Sequence, residues 1–195
     1  MQKIIGGNKP YLYDCVEYDS KEEIYFRWWL DELYKAEIVW YYEYHPDPYV
    51  LSDGLQADRV EQLKTKKKYH KARLFQPKSY TPDFQIFLNR HRITQDITMP
   101  LTDIMKRIPL VSKSGVAVVD IKPKYEKHNA RKQVFALNQA WVWEEYQEFV
   151  QPIVYQKLFA LTFTPNRFLW TDGGKLKRVI HFEVRTLSKY ISQTA

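Results

Sequence analysis

The chain has 195 residues, a formal net charge of +7 and one cysteine, Cys15. No stretch approaches the roughly 18–20 consecutive apolar residues of a membrane span, and the first residues lack the apolar segment of a signal peptide. A lone cysteine excludes an internal disulfide framework and a cysteine-based zinc site, so we expect an intracellular, reducing environment. Hydrophobic residues make up 45% of the chain, which is enough for the core of one domain.

A first helix is predicted to begin at Ser20 and to end near Ala36. Ser20 and Glu23 have the spacing of a capping box at a helix start. The segment 38–44 is rich in β-branched and aromatic residues, which predicts a strand, and the prolines that follow should end it. Within the helix, apolar residues recur at helical spacing and predict one buried face: Phe26, Trp29, Leu30 and Leu33.

The most basic part of the chain is predicted to be an insertion at about 49–72, with a short helix at 56–68. No acidic residue occurs between positions 62 and 82. A local surplus of positive charge favours contact with the nucleic-acid backbone, and a solvated loop that aids solubility is the alternative. The residues expected to contact nucleic acid here are Lys64, Lys66, Lys67, Lys68, Lys71 and Arg73.

The middle of the chain predicts two strands separated by a second insertion. The segment 73–88 has an extended pattern that is interrupted at Pro82. The polar segment at about 89–114 is expected to be an insertion with a helical turn at 101–108. The apolar run at 116–119 then indicates a buried central strand.

The last third of the chain completes a mixed α/β sheet flanked by helices. A helix at 129–147 is expected to cross over between parallel strands at 116–122 and 153–163. Asp172-Gly173-Gly174 predicts a hairpin turn before a last strand at 178–185.

Two short segments place carboxylates and a lysine at strand ends. Asp120 and Lys122 are two residues apart, so in a strand both side chains project to one face while Ile121 points into the core. Asp83 follows Pro82, where a bend lets the aspartate leave the core. Magnesium prefers carboxylate, carbonyl and water oxygens, so the Ile121 carbonyl is a further expected ligand. With the metal, the Lys122 ammonium group would activate water and offset charge in phosphodiester cleavage.

Pro82-Asp83 and Asp120-x-Lys122 resemble the two halves of the signature of the PD-(D/E)xK nuclease superfamily. Their context is similar to the branch that holds small phage-encoded nucleases, Holliday-junction resolvase-like enzymes and transposon end-cleaving endonucleases. The resemblance covers about residues 19–165. The shared order is Ser20-x-x-Glu23 in a first helix, a strand, Tyr80-Thr81-Pro82-Asp83-Phe84, an apolar strand into Asp120-Ile121-Lys122, and a helix.

The resemblance implies a restriction-endonuclease-like core, αβββαβ, in one domain over 1–195. It implies an endonuclease that uses magnesium or manganese to hydrolyse phosphodiester bonds in DNA, such as branched DNA or ends made during recombination or packaging. It also implies a homodimer or larger nucleoprotein assembly in the cytoplasm of a phage-infected bacterium. In that family the carboxylates bind metal and the lysine acts in catalysis, and the matching residues are Glu23, Asp83, Asp120 and Lys122.

Several alternatives stay open at this point. Glu22 lies close to the apolar helix face and competes with Glu23 as the third carboxylate, and RNA is an alternative substrate. The helix start after the lysine motif could bind phosphate or be an ordinary exposed helix end. A non-catalytic nucleic-acid-binding or virion-associated protein with a nuclease-like fold is the alternative function. The basic residues at that helix start are Lys124, Lys127, Arg131 and Lys132.

Overall fold

The computed structural model describes residues 4, 10–88, 108–111, 115–123 and 129–192. In chain order the strands are β1 (Tyr11–Tyr13), β2 (Val16–Tyr18), β3 (Val39–Tyr44), β4 (Tyr49–Ser52), β5 (Leu55–Gln62), β6 (Lys67–Phe75), β7 (Lys78–Tyr80), β8 (Phe84–Leu88), β9 (Val116–Ile121) and β10 (Val150–Ile153). The helices are α1 (Lys21–Lys35), α2 (Asn129–Tyr146), α3 (Tyr155–Leu161) and α4 (Leu187–Ser192), with a 3-10 turn at Asn166–Leu169.

A four-stranded mixed sheet with the order β10-β9-β8-β3 organises the described protein. The pairs β3–β8 and β8–β9 are antiparallel, and β9–β10 is parallel. Helix α2 connects the two parallel strands, as predicted for the crossover. The protein is therefore a mixed α/β structure. Along the chain, the four strands of the sheet and their two helices occur in the order α1, β3, β8, β9, α2 and β10.

Helix α1 forms where its capping residues predict. Ser20 is in an extended conformation, with φ −145° and ψ 160°, and its hydroxyl accepts a hydrogen bond from the Glu23 backbone N–H. The predicted apolar face is fully buried. Phe26 contacts Phe84 of β8 with ring centroids 5.1 Å apart, so the helix packs on the sheet through aromatic rings.

The two faces of β9 are covered by different helices. Val119 and Ile121 belong to the main core cluster with α1. Val118 points the other way, into a smaller cluster with Val142 of α2. Because side chains alternate along a strand, Asp120 is directed to the α2 side, and Ile121 points into the core as predicted.

The helix predicted at 56–68 is wrong, because β5 and β6 pair there as an antiparallel hairpin. Ala57, Val60 and Leu63 are the only apolar residues in 56–68, which is too few to give a helix a buried face. The hairpin instead places opposite charges across from each other, Asp58 opposite Lys71 and Glu61 opposite Lys68. Such cross-strand pairs stabilise a ribbon.

The strand predicted from 153 onward is also wrong beyond its first residue. Strand β10 ends at Ile153, and α3 follows directly. Tyr155, Leu158, Phe159 and Thr162 have the one-face spacing of a helix, and the last three are buried. The segment also contains aromatic and β-branched residues typical of strands, so its composition favoured a strand over the helix that forms.

No strand forms at 178–185, which corrects the prediction of a last strand, although the chain does turn at Asp172-Gly173-Gly174. Isolated hydrogen bonds take the place of a ladder: the Arg178 N–H donates to the Leu169 carbonyl at 2.8 Å, and the Arg185 carbonyl accepts the Thr164 N–H at 2.8 Å. Arg178 donates from Nε to the Phe168 carbonyl at 3.0 Å and from Nη2 to the Trp170 carbonyl at 3.2 Å. The second insertion, predicted at 89–114, lies outside the described residues except for 108–111, where Ile108 and Leu110 are buried.

We expect Thr162→Val to destabilise the protein by about 1–3 kcal/mol although it conserves shape. The Thr162 hydroxyl is buried, accepts the Trp29 indole N–H at 3.1 Å and donates to the Leu158 carbonyl at 2.7 Å. Valine would leave the buried indole N–H without a partner. Urea unfolding measures the change, and Thr162→Ser, which keeps the hydroxyl, is the control that should lose less. Equal losses in both variants would contradict the hydrogen-bond explanation.

Candidate active site

The candidate site lies where β8 begins and β9 ends. The β8–β9 register pairs Phe84 with Val119, so Asp83 and Asp120 are the next residues across from each other. Their carboxyl groups are close enough to share a hydrogen bond. Asp83 also accepts the Ile121 backbone N–H through Oδ2 at 2.5 Å. The bend at Pro82-Asp83 therefore brings the first aspartate against the end of the central strand.

Asp120 is held by two donors on the same oxygen. The Tyr80 hydroxyl donates to Asp120 Oδ2 at 2.6 Å, and the Lys122 ammonium group donates to it at 2.8 Å. Lys122 Nζ stands 4.1 Å from the ring centroid of Phe135 on α2. The aspartate is 8% exposed. Lysine, tyrosine and helix α2 thus enclose this carboxylate on the α2 side of the sheet.

Burial and crowding raise the pKa of Asp83 to about 9. Desolvation contributes most, followed by the charge and hydrogen bond of Asp120 and then the charge of Glu23, while the Ile121 N–H partly offsets them. Near neutral pH the Asp83–Asp120 pair therefore retains a proton between two carboxyl groups. Burial, followed by Asp120, also raises the pKa of Tyr80 above its ordinary value, so Tyr80 acts as a hydrogen-bond donor.

Glu23 reaches the site from the first turn of α1 and is 5% exposed. Its carboxylate accepts hydrogen bonds from the Ser20 hydroxyl at 2.6 Å, the Asp19 backbone N–H at 3.0 Å and the Tyr44 hydroxyl at 2.7 Å. The capping box and the proximity to Asp83 therefore coexist in one residue.

Glu22, the competing glutamate, has a different neighbourhood. It is half-buried, and its charge acts on Tyr155, where burial is the main cause of the raised pKa and Glu22 adds to it. Glu23, by contrast, adds to the raised pKa of Asp83. Of the two glutamates, Glu23 is the one whose charge acts on the aspartate pair.

Within the described parts of the chain, no three acidic, histidine or cysteine side chains converge as a ready-made metal-binding group. The oxygens of Glu23 are instead occupied by donors from the start of α1 and from Tyr44 of β3. The structure brings together Asp83, Asp120 and Lys122 directly, with Glu23 adjacent. Carboxylate oxygens forced into contact are a donor set that suits a divalent cation of the magnesium type.

The predicted nucleic-acid contacts are exposed wherever the structure describes them. Six of them are exposed on β6 or in the turn that precedes it: Lys64, Lys66, Lys67, Lys68, Lys71 and Arg73. Arg131 and Lys132 are exposed in the first part of α2, and Lys124 and Lys127 lie outside the described residues.

Sequence reasoning missed Tyr80 and Tyr44 as site residues. Tyr80 is 40 positions from its partner Asp120, and Tyr44 is 21 positions from Glu23. Such contacts depend on strand register and leave no local spacing signal. The only available sign was the position of Tyr80 just before the Pro82-Asp83 bend.

None of the helices in the described ranges is long and apolar enough to cross a lipid bilayer. Comparison with protein-family models, with curated proteins and with solved structures finds no match to this chain.

Proposed function

We propose that this protein is a metal-dependent nuclease that hydrolyses phosphodiester bonds in DNA. The observation that carries the proposal is the half-buried Asp83 facing the buried Asp120 across β8 and β9, with the Lys122 ammonium group 2.8 Å from Asp120. A purely structural carboxylate pair with a proton trapped between its members weakens a fold, so its presence favours a functional reason. The order helix, three strands, helix, strand further supports a restriction-endonuclease-like core.

The donor set fits a divalent cation. Asp83 and Asp120 would hold it, with the Ile121 carbonyl as the backbone ligand and Glu23 as the nearest additional carboxylate. When bound, such a cation supplies positive charge and a water of lowered pKa. It would also take the place of the proton between the two aspartates, which links metal affinity to pH.

The protein side chains then have separable tasks. Asp120 is fixed by the Tyr80 hydroxyl, so its carboxylate keeps one orientation. We assign to Lys122 the stabilisation of negative charge that develops on the phosphate, because its ammonium group lies beside Asp120 and its side chain is 22% exposed. Phe135 under that ammonium group limits its position.

A plasmid-nicking assay tests the proposal. We expect nicking or linearisation in Mg²⁺ or Mn²⁺, and none in excess chelator. A parent protein that leaves supercoiled, branched and single-stranded DNA intact in both metals would contradict the nuclease proposal. That result would favour a non-catalytic nucleic-acid-binding protein, for which the exposed basic residues of β6 are the supporting observation.

Metal binding is expected to be measurable without any reaction. At a free Mn²⁺ concentration one hundred times the dissociation constant, the parent protein should gain about 2.7 kcal/mol of stability. For a chain of this length that is roughly 5–10 °C in Tm. Asp120→Asn should lose most of this gain, and Asp47→Asn, at an exposed aspartate that also follows a proline, should keep it. An equal gain in stability for the parent and both variants would show that Mn²⁺ binds at another site.

A further inference from the structure

The β5–β6 hairpin presents one fully exposed face. The register places four residue pairs on that face, and each of the eight side chains is exposed. On the opposite face, Ala57, His70 and Ala72 are half-buried. The exposed set, called here the ribbon face, consists of Gln56 with Arg73, Asp58 with Lys71, Val60 with Tyr69 and Gln62 with Lys67.

The ribbon face combines positive charge with exposed apolar side chains, which is unusual for a surface that binds no partner. Its eight side chains carry three positive charges and one negative charge, a net charge of +2, and positions 55–75 as a whole carry +5 within a chain whose total is +7. At its centre the cross-strand neighbours Tyr69 and Val60 are 74% and 51% exposed. Positive charge flanking an apolar pair is complementary to a polyanion whose grooves carry flat or methyl-bearing edges.

We propose that the ribbon face enters the major groove of duplex DNA, with Lys67, Lys71 and Arg73 on the phosphate backbone and Tyr69 against base edges. The inference rests on the proposed function only in taking DNA as the substrate. A two-stranded ribbon fits the major groove, which is about 12 Å wide. The eight residues of β5 extend about 26 Å at about 3.3 Å per residue, which is most of one helical turn of DNA.

The base of the hairpin connects directly to the candidate active site. The ring of Phe75, the last residue of β6, lies 5.8 Å from the Trp141 ring of α2, centroid to centroid. Five residues later, Tyr80 donates to Asp120. Five residues span at most about 18 Å. A duplex bound along the ribbon would therefore pass close to the carboxylates.

DNA binding without metal tests the inference independently of cleavage. We would measure fluorescence anisotropy of a labelled duplex of about 25 base pairs in chelator, with the double variant Lys67→Gln/Lys71→Gln. We expect binding at least ten-fold weaker than for the parent. The dependence of log K on log salt should also fall by about 2, at about 0.9 per phosphate contact.

Lys68 is predicted from the sequence to contact nucleic acid, but the register places it with Arg59 on the opposite face of the hairpin, so the proposal assigns it no contact. The matched control is therefore Arg59→Gln/Lys68→Gln, which removes two charges from that opposite face. Lys68 faces Glu61 as Lys71 faces Asp58, so the two doubles disturb equivalent cross-strand pairs. The control should weaken binding less than three-fold, and circular dichroism should show both doubles folded. Equal losses in the two doubles would overturn the assignment of the ribbon face, because they would show a contact that depends on total charge alone.

A duplex RNA of the same sequence provides the second arm. The major groove of A-form RNA is deep and narrow, so the ribbon cannot enter it, and we expect at least ten-fold weaker binding than to duplex DNA. Equal affinity for the two duplexes would overturn groove insertion. If the parent protein cleaves DNA and Lys67→Gln/Lys71→Gln binds DNA as tightly as the parent, this inference is overturned and the nuclease proposal stands. If the double variant loses DNA binding but the parent cleaves no DNA, the ribbon-face inference stands and the nuclease proposal is overturned.

Discussion

Replacing Asp83 with asparagine is expected to stabilise the protein and abolish metal-dependent cleavage. An asparagine oxygen can still accept the Ile121 N–H, and its amide can donate to Asp120, so both hydrogen bonds of the protonated aspartate are kept. The substitution removes the unfavourable interaction between two crowded carboxyl groups. We expect this to raise the free energy of unfolding by about 2 kcal/mol at pH 8. This corresponds to roughly 4–8 °C in Tm.

The gain should depend on pH with a defined sign. The pKa of Asp83 is about 9 in the folded protein and about 3.9 in an unfolded chain. Between those values the folded protein binds more protons than the unfolded chain, so its stability declines as pH rises. Asp83→Asn lacks this decline, and its advantage over the parent should therefore shrink as the pH is lowered from 8 towards 4.

Chemical unfolding at pH 8 and pH 4.5 measures both the size and the trend of this effect. Asp47→Asn is the control, because Asp47 also follows a proline but is exposed. It should alter neither stability nor cleavage. A parent protein that is more stable than Asp83→Asn at pH 8 in chelator would show that the aspartate pair is not strained. Retained cleavage in Asp83→Asn would remove Asp83 from the active site.

The elements that were predictable carry local signals. Ser20 and Glu23 define the start of α1 because a capping box is a contact between residues three apart. The apolar run 116–119 predicts a central strand because both faces of β9 are buried. The Asp83–Asp120 contact followed once the two flanking strands were placed next to each other.

The wrong predictions share a different cause. The hairpin of β5 and β6 is specified by pairings between residues up to 20 positions apart, such as Leu55 with Phe75. Its own composition is polar and compatible with several local structures. The region 178–185 is held by the Arg178 side chain, which donates to the Phe168 and Trp170 carbonyls. Residue spacing in the sequence gives no sign of such contacts. Both depend on tertiary contacts that override local propensity.

The charged residues of the candidate site could be predicted from the sequence, whereas the tyrosines that hydrogen-bond to them could not. Asp83, Asp120 and Lys122 stand out because carboxylates and a lysine at strand ends are chemically unusual. Tyr80 and Tyr44 look like ordinary strand aromatics until the register brings each hydroxyl to a carboxylate. Hydroxyls that hold metal-binding carboxylates in place would be the second layer of such a site.

Lys122→Ala is expected to lower cleavage by about 10²–10⁴-fold, the range for losing a group that acts in the transition state. It should also destabilise the protein by about 1–2 kcal/mol, since Asp120 would lose its ion-pair partner at 2.8 Å. The effect on stability therefore has the opposite sign from that of Asp83→Asn, although both variants lose activity.

The informative companion is Lys122→Gln, whose amide can still donate to Asp120 without carrying a charge. We expect it to recover most of the stability that alanine loses and little of the activity, because the transition state needs the charge and Asp120 needs only a donor. Urea unfolding and single-turnover cleavage under saturating metal separate the two quantities. A glutamine variant that cleaves at the parental rate would reduce Lys122 to a residue that holds Asp120 in position, and the source of positive charge would then have to be sought on α2, where Arg131 and Lys132 are exposed.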